Sequence, residues 1–318
     1  MTVAVPARMR IAVIGGGQNC EHEVSLASAA SVSDALDDHL YEVVEITIGR
    51  DGGWFVDDRE VGLPRAVALL QTCEVVFPAV HGPRGEDGAL ASLCEFAGVR
   101  YVGARPGAGA LAMDKWATKL LAQSLGIATA AGRLLTGPQG PRPWNGPVVV
   151  KPVAAGSSRG VTLVRDPQDL DAAVREAFTV DDRVLIEELV VGREIDVAVL
   201  GTSQGGRRVG PPLEVVTEGV FDYETKYGGA APFVIPAPLG PVELKDLEGA
   251  ALQMYDALGC GGVARVDFFL TGDGVVLNEV NTMPGMTRNS QVPKMFAAAG
   301  LSYPELLNLL IAASGTGG

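Results

Sequence analysis

The sequence predicts an α/β protein that opens on a doubly wound unit and becomes α+β further along. Three observations carry that reading. Residues 10–14 form a short apolar strand that runs into Gly15-Gly16-Gly17, and an acidic, Ser-containing helix start follows at residues 20–25. Strand, glycine turn and helix in that order open a doubly wound unit. Residues 73–80 are a second buried strand, followed at once by His81-Gly82. Residues 263–270 and 275–281, rich in β-branched and aromatic side chains, flank Thr271-Gly272-Asp273-Gly274 and read as an antiparallel hairpin.

The 318 residues can bury a sizeable core and supply two or three domains. A net charge of −13, from 25 basic and 38 acidic residues, argues against non-specific binding to nucleic acid or an anionic membrane. It still allows a small anionic ligand where a few Lys and Arg gather. Cys20, Cys73, Cys94 and Cys260 are scattered, with no CxxC spacing, and read as buried reduced thiols. Residues 1–10 lack the apolar core of a signal peptide, and no apolar run approaches a membrane span, so a cytoplasmic protein is expected.

Taken in order, the first glycine turn lacks the spacing of a dinucleotide fingerprint, and Glu45 is the nearest acidic residue on the next strand, residues 41–48. Glu21 and Glu23 read as helix N-terminal charges favoured by the dipole, unless a ligand ammonium claims one. His81 follows the carboxyl end of a strand, where open α/β sheets bind ligands, while Glu86 and Asp87 read as caps of a helix over 89–97. Residues 110–125 form one long helix, on which Lys115 and Lys119 share a face and read as solvated. Residues 137–147, rich in Gly and Pro, are a surface connection.

Strand 148–152 ends in Lys151-Pro152 and leads through a small, hydroxyl-rich loop, residues 154–160, to strand 161–164. Such a loop offers N–H and Ser donors to phosphates, or is a plain surface hairpin; it is not a Walker loop, because its lysine precedes the glycines. Residues 183–188 form a strand ending in Glu187-Glu188, residues 194–200 another, and residues 201–210 a Gly-rich hairpin. The polar, aromatic stretch 221–229 suits a mobile lid or an ordinary exposed loop. Residues 248–258 and 303–313 are amphipathic helices that pack on a sheet.

The hairpin carries the chemistry. A three-residue loop at Gly272-Asp273-Gly274 places Asp267 opposite Glu279 and Arg265 opposite Asn281, with all four side chains on one face. Facing carboxylates repel unless a cation lies between them, and few hard oxygen ligands suit Mg²⁺ that shares a substrate's phosphates. A face open to water, or a register shifted by one residue, is the competing reading.

Across nearly the whole chain these stretches resemble the D-alanine–D-alanine ligases of the ATP-grasp superfamily. The resemblance rests on Gly15-Gly16 with residues 21–26, His81-Gly82 with Gly85-Glu86-Asp87-Gly88, Met113-Asp114-Lys115, Lys151-Pro152 with Gly156-Ser157-Ser158, Tyr223-Glu224 with Lys226-Tyr227, and residues 265–281 with Pro284-Gly285-Met286-Thr287 and Ser290. It implies a Rossmann-like substrate domain over 1–104, an ATP-grasp lid domain over 105–190, and a catalytic ATP-grasp domain over 191–318 with a mobile loop at 221–238.

It also implies ATP as substrate, held by Lys115, Lys151, Ser157, Ser158, Lys226 and Phe268, with Glu187 and Val190 at the adenine and Glu194 at the ribose. Asp267, Glu279 and Asn281 would hold two Mg²⁺ (or Mn²⁺) ions. Glu21 would pair with the ammonium of the first D-amino acid, Val24 and His81 would line its subsite, and Ser157 and Tyr227 would link to Glu21. Arg265 and the Gly285 N–H would face the tetrahedral oxyanion, and Ser290 and Gln291 the second amino acid. The implied product is D-Ala-D-Ala for peptidoglycan, made by a homodimer with no nucleic-acid or membrane partner.

Ala91-Ser92, Ala154-Ala155, Arg159 and Gln291 depart from the family pattern, and they bear on which amino acids are joined. The alternative is a related ATP-grasp ligase of antibiotic resistance or specialised metabolism, acting on another D-amino acid or amine acceptor. The Lys226-Tyr227 pair favours an amine nucleophile. A silent ATP-binding regulator is poorly motivated, because the lysines, the acidic set and Arg265 are all present. A dinucleotide oxidoreductase fails on the missing fingerprint.

Overall fold

The run Ile11–Ile14 is apolar on both faces, as a parallel strand covered by helices must be, and it sits at the centre of the first sheet. The computed structural model describes residues 8–138, 143–216 and 233–315. In the first sheet, β1 (Met9–Gly16) pairs in parallel with β2 (Tyr41–Ile48). On the β2 side, β3 (Trp54–Val56) and β4 (Arg59–Glu60) continue antiparallel to the edge. On the other side of β1, β5 (Val75–Pro78) and β6 (Arg100–Tyr101) follow in parallel. Helices α1 (His22–Ala35), α2 (Gly62–Leu70) and α3 (Ala89–Ala97) supply the crossovers.

The single helix expected over 110–125 is two helices, α4 (Pro106–Met113) and α5 (Lys115–Ser124). Asp114 breaks it: its backbone is extended, and its carboxylate accepts the Ala117 N–H at 2.9 Å as the cap of α5. After β7 (Ala128–Thr129) comes an antiparallel four-stranded sheet of β8 (Gly132–Leu135), β9 (Val148–Pro152), β10 (Thr162–Val164) and β11 (Val184–Glu188), in the order β10-β9-β11-β8. Its apolar face packs on α6 (Leu170–Ala177) through Leu170, Ala173 and Val174.

The third sheet contains β12 (Arg193–Gly201), β13 (Arg207–Val209), β14 (Leu213–Val215), β15 (Phe233–Val234), β16 (Val263–Thr271) and β17 (Gly274–Asn281), with β7 at one edge. Alternation along β16 sends Ala264, Val266, Phe268 and Leu270 into a core with α7 (Pro241–Leu258). On the opposite face Val263, Ala198 and Leu200 join a core with α8 (Gln291–Ala298) and α9 (Tyr303–Ala312), which also takes in Ile11, Val13, Val75 and Phe77 of the first sheet. Arg265 and Asp267 share that second face beyond the apolar patch. The first and third sheets are therefore joined by one hydrophobic core.

Of the loop expected at 221–238, residues 221–232 lie outside the described residues, and Phe233–Val234 are the edge strand β15. Among the described residues no single helix is long and apolar enough to cross a membrane.

Candidate active site

A cavity of about 1430 Å³ opens between the three sheets. At one wall Glu21 stands at the N-terminus of α1 with 6% of its surface exposed. Its carboxylate accepts the Ser157 hydroxyl from the loop between β9 and β10. Ser157 and Ser158 hold left-handed φ values of 53° and 54°, which folds the loop over the cavity. A Cβ on Gly156 would lie 2.2 Å from the Glu21 carboxylate and one on Gly82 would lie 2.5 Å from it, so a side chain at either position would displace that carboxylate, and Gly82 also holds a φ of 73°. Glu23, by contrast, pairs with Arg50 at the exposed surface.

Lys115, which the resemblance assigns to ATP, and Lys119, which read as solvated, are 8% and 3% exposed. The face of α5 that carries them is turned inward. Lys115 Nζ lies 3.2 Å from Glu279 Oε2 and donates to the Ala155 carbonyl at 2.8 Å, joining helix, hairpin and loop. Lys119 Nζ and Lys151 Nζ grip the two oxygens of Glu187 at 2.6 and 2.7 Å. Burial alone would raise the Glu187 pKa, but Lys151 and Lys119 hold it below the ordinary carboxylate value; burial lowers that of Lys119. The expected place of Glu187 at the adenine is thus shared with an ion-pair role, while Val190 and Glu194 line the cavity.

The hairpin pairs Asp267 with Glu279 and Arg265 with Asn281, by a route other than the one expected. The turn holds two residues, since Thr271 pairs with Gly274, and a bulge restores the register: Phe268 pairs with Leu277 but Asp267 with Glu279. Asn278 is the extra residue, and its side chain accepts from Lys151 at 3.3 Å. Phe268, expected to bind ATP, is fully buried in the α7 core. Side chains alternate, so Phe269, not Phe268, shares the Asp267 face and lines the cavity.

Arg265 donates through Nε and Nη2 to both oxygens of Asp267 at 2.7 and 2.6 Å, and through Nη1 to Gln291 Oε1 at 2.6 Å. Gln291 Nε2 in turn donates to Asp196 Oδ2 at 2.8 Å. Asp267, 1% exposed, also accepts from Asn281 Nδ2 at 3.0 Å. That bond commits the amide nitrogen of Asn281 to Asp267 and leaves its carbonyl oxygen as the atom that can face a cation. Two carboxylates and an amide oxygen on adjacent strands fit a hard divalent ion in kind.

His81 is buried, and its Nδ1 donates to the Met283 carbonyl at 2.8 Å while Nε2 meets the Ser28 hydroxyl at 2.8 Å. Burial lowers its pKa, against the pull of Glu21. Both ring nitrogens are therefore taken by protein groups. Asp87 is the local cap expected, accepting the Ala89 and Arg84 N–H groups. Glu86 instead accepts the N–H groups of Gly82 and Met283 at 2.9 and 3.1 Å, and burial, followed by the charge of Glu21, pushes its pKa up to about 8. Ser290 accepts the Thr287 N–H at 3.1 Å beside Gly285.

Val24, Gly285, Ser290 and Gln291 all line the same cavity; Lys226 and Tyr227 lie outside the described residues. Sequence reasoning passed over Asp196, Asn278 and Ser28, and read Lys119 as solvated. An acid between Ile195 and Val197 in an apolar strand was a usable signal for the first. The bulge that aims Asn278 had none.

Residues 143–312 match the D-ala D-ala ligase C-terminus family, and residues 10–68 and 60–104 the D-ala D-ala ligase N-terminus family. A D-alanine–D-alanine ligase of Corynebacterium aurimucosum is 39% identical, with 98% of each chain covered. The VanG D-Ala:D-Ser ligase from Enterococcus faecalis is similar in structure at a TM-score of 0.82 and 34% identity, over 96% of this chain and 99% of that one. The D-alanine–D-alanine ligase from Bacillus anthracis complexed with ATP gives 0.80 at 29%, over 96% and 97%. Fold and cavity define an ATP-dependent ligase of the ATP-grasp class. Matched along nearly its full length, the chain belongs to the D-alanine–D-alanine ligase family.

Proposed function

We propose that the protein joins two D-alanines at the expense of ATP, through a D-alanyl phosphate, to give D-Ala-D-Ala for peptidoglycan. The observation that carries this reading is that one cavity is lined by the Glu21 carboxylate, Lys115, Lys151, Glu279 and Asn281, with Asp267 buried opposite Glu279 on the adjacent strand. A carboxylate is a poor acylating agent, so the first amino acid takes the γ-phosphoryl group before the amine of the second attacks. Glu21, wedged between Gly82 and Gly156, receives the ammonium of the first D-alanine and so aims its carboxylate at the phosphoryl group. Lys115 and Lys151 offset the phosphate charge, joined by Lys226, while Tyr227 and Ser157 link to Glu21, as the family resemblance implies.

Asp267, Glu279 and Asn281 would hold two Mg²⁺ (or Mn²⁺) ions, which would supply positive charge beside the transferring phosphoryl group. Arg265 and the Gly285 N–H face the oxyanion formed when the amine attacks. Ser290 receives the carboxylate of the second amino acid. The cytoplasm, which holds the ATP, is the compartment of this reaction, and the family resemblance supports a homodimer.

Gln291, which follows Ser290 in the chain and lines the cavity with it, favours a second reading with a polar acceptor such as D-serine. Purified protein incubated with Mg-ATP and D-amino acids, singly and in pairs, with ADP counted and products weighed, decides between them. D-Ala-D-Ala matched to ADP supports the first reading; a mixed dipeptide in preference to it overturns it.

A further inference from the structure

Gly285, to which the proposed function assigns an oxyanion donor, lies in a segment with no regular structure of its own. The residues on either side are held from the first sheet's layer. The Met283 N–H donates to Glu86 at 3.1 Å and the Met283 carbonyl accepts from His81 Nδ1 at 2.8 Å. On the other side the Met286 N–H donates to Ser28 Oγ at 3.2 Å. Tyr303 donates its hydroxyl to the Met286 carbonyl.

The directions of these bonds are set by chemistry. A carbonyl only accepts, so His81 Nδ1 carries the proton. In the neutral ring Nε2 is then an acceptor, and Ser28, 2.8 Å away, must donate its hydroxyl to it. The Ser28 oxygen remains free to accept from Met286. Met283, His81, Ser28 and Met286 thus close a ring around Pro284-Gly285. Pro284 has no N–H and that of Met286 is used, whereas the Gly285 N–H donates to none of the described residues. The ring leaves one donor of the segment available and fixes its direction.

We infer that Ser28, acting through His81 and the Met286 amide, is a positioning residue that aims the Gly285 N–H at the reacting carbonyl. Ser28 is fully buried on α1 and does not line the cavity, so it touches no substrate. The inference rests on the proposed role of Gly285. It assigns the buried hydroxyl to the peptide-forming step, because the acyl phosphate forms before the oxyanion does.

The test compares wild type, Ser28→Ala and Ser28→Thr with D-alanine and Mg-ATP, counting ADP and dipeptide separately and measuring the ATP KM and thermal unfolding. Wild type is expected to release one ADP per dipeptide. In Ser28→Ala dipeptide formation falls about tenfold to a hundredfold, below the full loss of an oxyanion donor because the donor is misaimed and not removed. ADP release falls less, so ADP exceeds dipeptide, while the ATP KM stays within about twofold. Ser28→Thr, which keeps the hydroxyl, restores the one-to-one ratio.

Coupled turnover in Ser28→Ala at the wild-type rate overturns the inference, as does a Ser28→Thr enzyme uncoupled to the same degree. If Ser28→Ala fails to fold, the threonine variant alone decides, by whether its coupling is intact. A wild type that makes a different dipeptide overturns the substrate reading only, and the ratio is then counted on that product. A wild type that consumes no ATP overturns both.

Discussion

Asp196 lies directly opposite Asp267 across β12 and β16, and Arg265 reaches both. Two buried carboxylates in cross-strand register destabilise a sheet unless charge is returned to them. Burial works against the Arg265 charge, but Asp267 and Asp196 more than offset it and drive its pKa well above the ordinary value. Gln291 closes the network by accepting from Arg265 and donating to Asp196. The guanidinium is thereby held in one orientation at the cavity wall.

Gln291→Leu is expected to slow peptide formation while leaving the ATP KM unchanged. A hydrogen bond to a charged group contributes about 1.5–3 kcal/mol, or roughly tenfold to a hundredfold in rate if it is expressed in the transition state. Steady-state kinetics with ATP and with D-alanine varied in turn separate the two effects. A rise in the ATP KM with kcat intact would contradict the placement of Gln291 at the acceptor side.

Asp267→Asn should reduce ADP release to background, because the substitution takes a charged oxygen ligand from the proposed metal set. It also removes the partner that Arg265 holds with two bonds, so the protein should lose stability, by up to the roughly 3–5 kcal/mol of a broken buried pair. Calorimetry alongside the ADP assay shows whether the variant is folded when it fails. Normal turnover would remove the hairpin from the metal site.

Glu187→Gln leaves Lys119 and Lys151 facing one another in a buried place, at a cost of about 3–5 kcal/mol near neutral pH. The folded-state pKa of Glu187 lies below its ordinary value of 4.5. Its stabilisation is therefore complete above that value and is lost as pH falls through the lower folded value. Unfolding temperatures of wild type and variant should differ most above about pH 5 and converge in stronger acid. A gap that stays constant down to acid unfolding would contradict the ion-pair account.

Asn278→Ala removes one of the two anchors of Lys151 and should raise the ATP KM by about threefold to tenfold, consistent with one long hydrogen bond to a charged group. Nucleotide titration monitored by thermal shift gives the matching change in Kd without turnover. An unchanged affinity would mean that Glu187 alone orients the lysine.

Much of this arrangement was legible in the chain. Strand β1 with its glycine turn, α3 to the residue, the β9 loop and the pairing of Asp267 with Glu279 all follow from local pattern: apolar runs, turn residues and two-residue alternation. The pairing was reached through the wrong turn, and only because a bulge compensated. Alternation applied one residue further along β16 would have named Phe269 in place of Phe268.

What the sequence by itself determined is the order of elements, the family and the residue types proposed to meet ATP, metal and amino acid, because these are set by neighbours a few positions apart. The tertiary structure decided which polar groups are buried together. Lys119 and Lys115 look alike on a helix, and only the packing of α5 under β11 and β17 turns one to Glu187 and the other to Glu279. Ser28 and Met286 are 258 positions apart, and Asp196 and Gln291 are 95 apart. Contacts of that span depend on how three sheets close around one cavity, and no local periodicity encodes them.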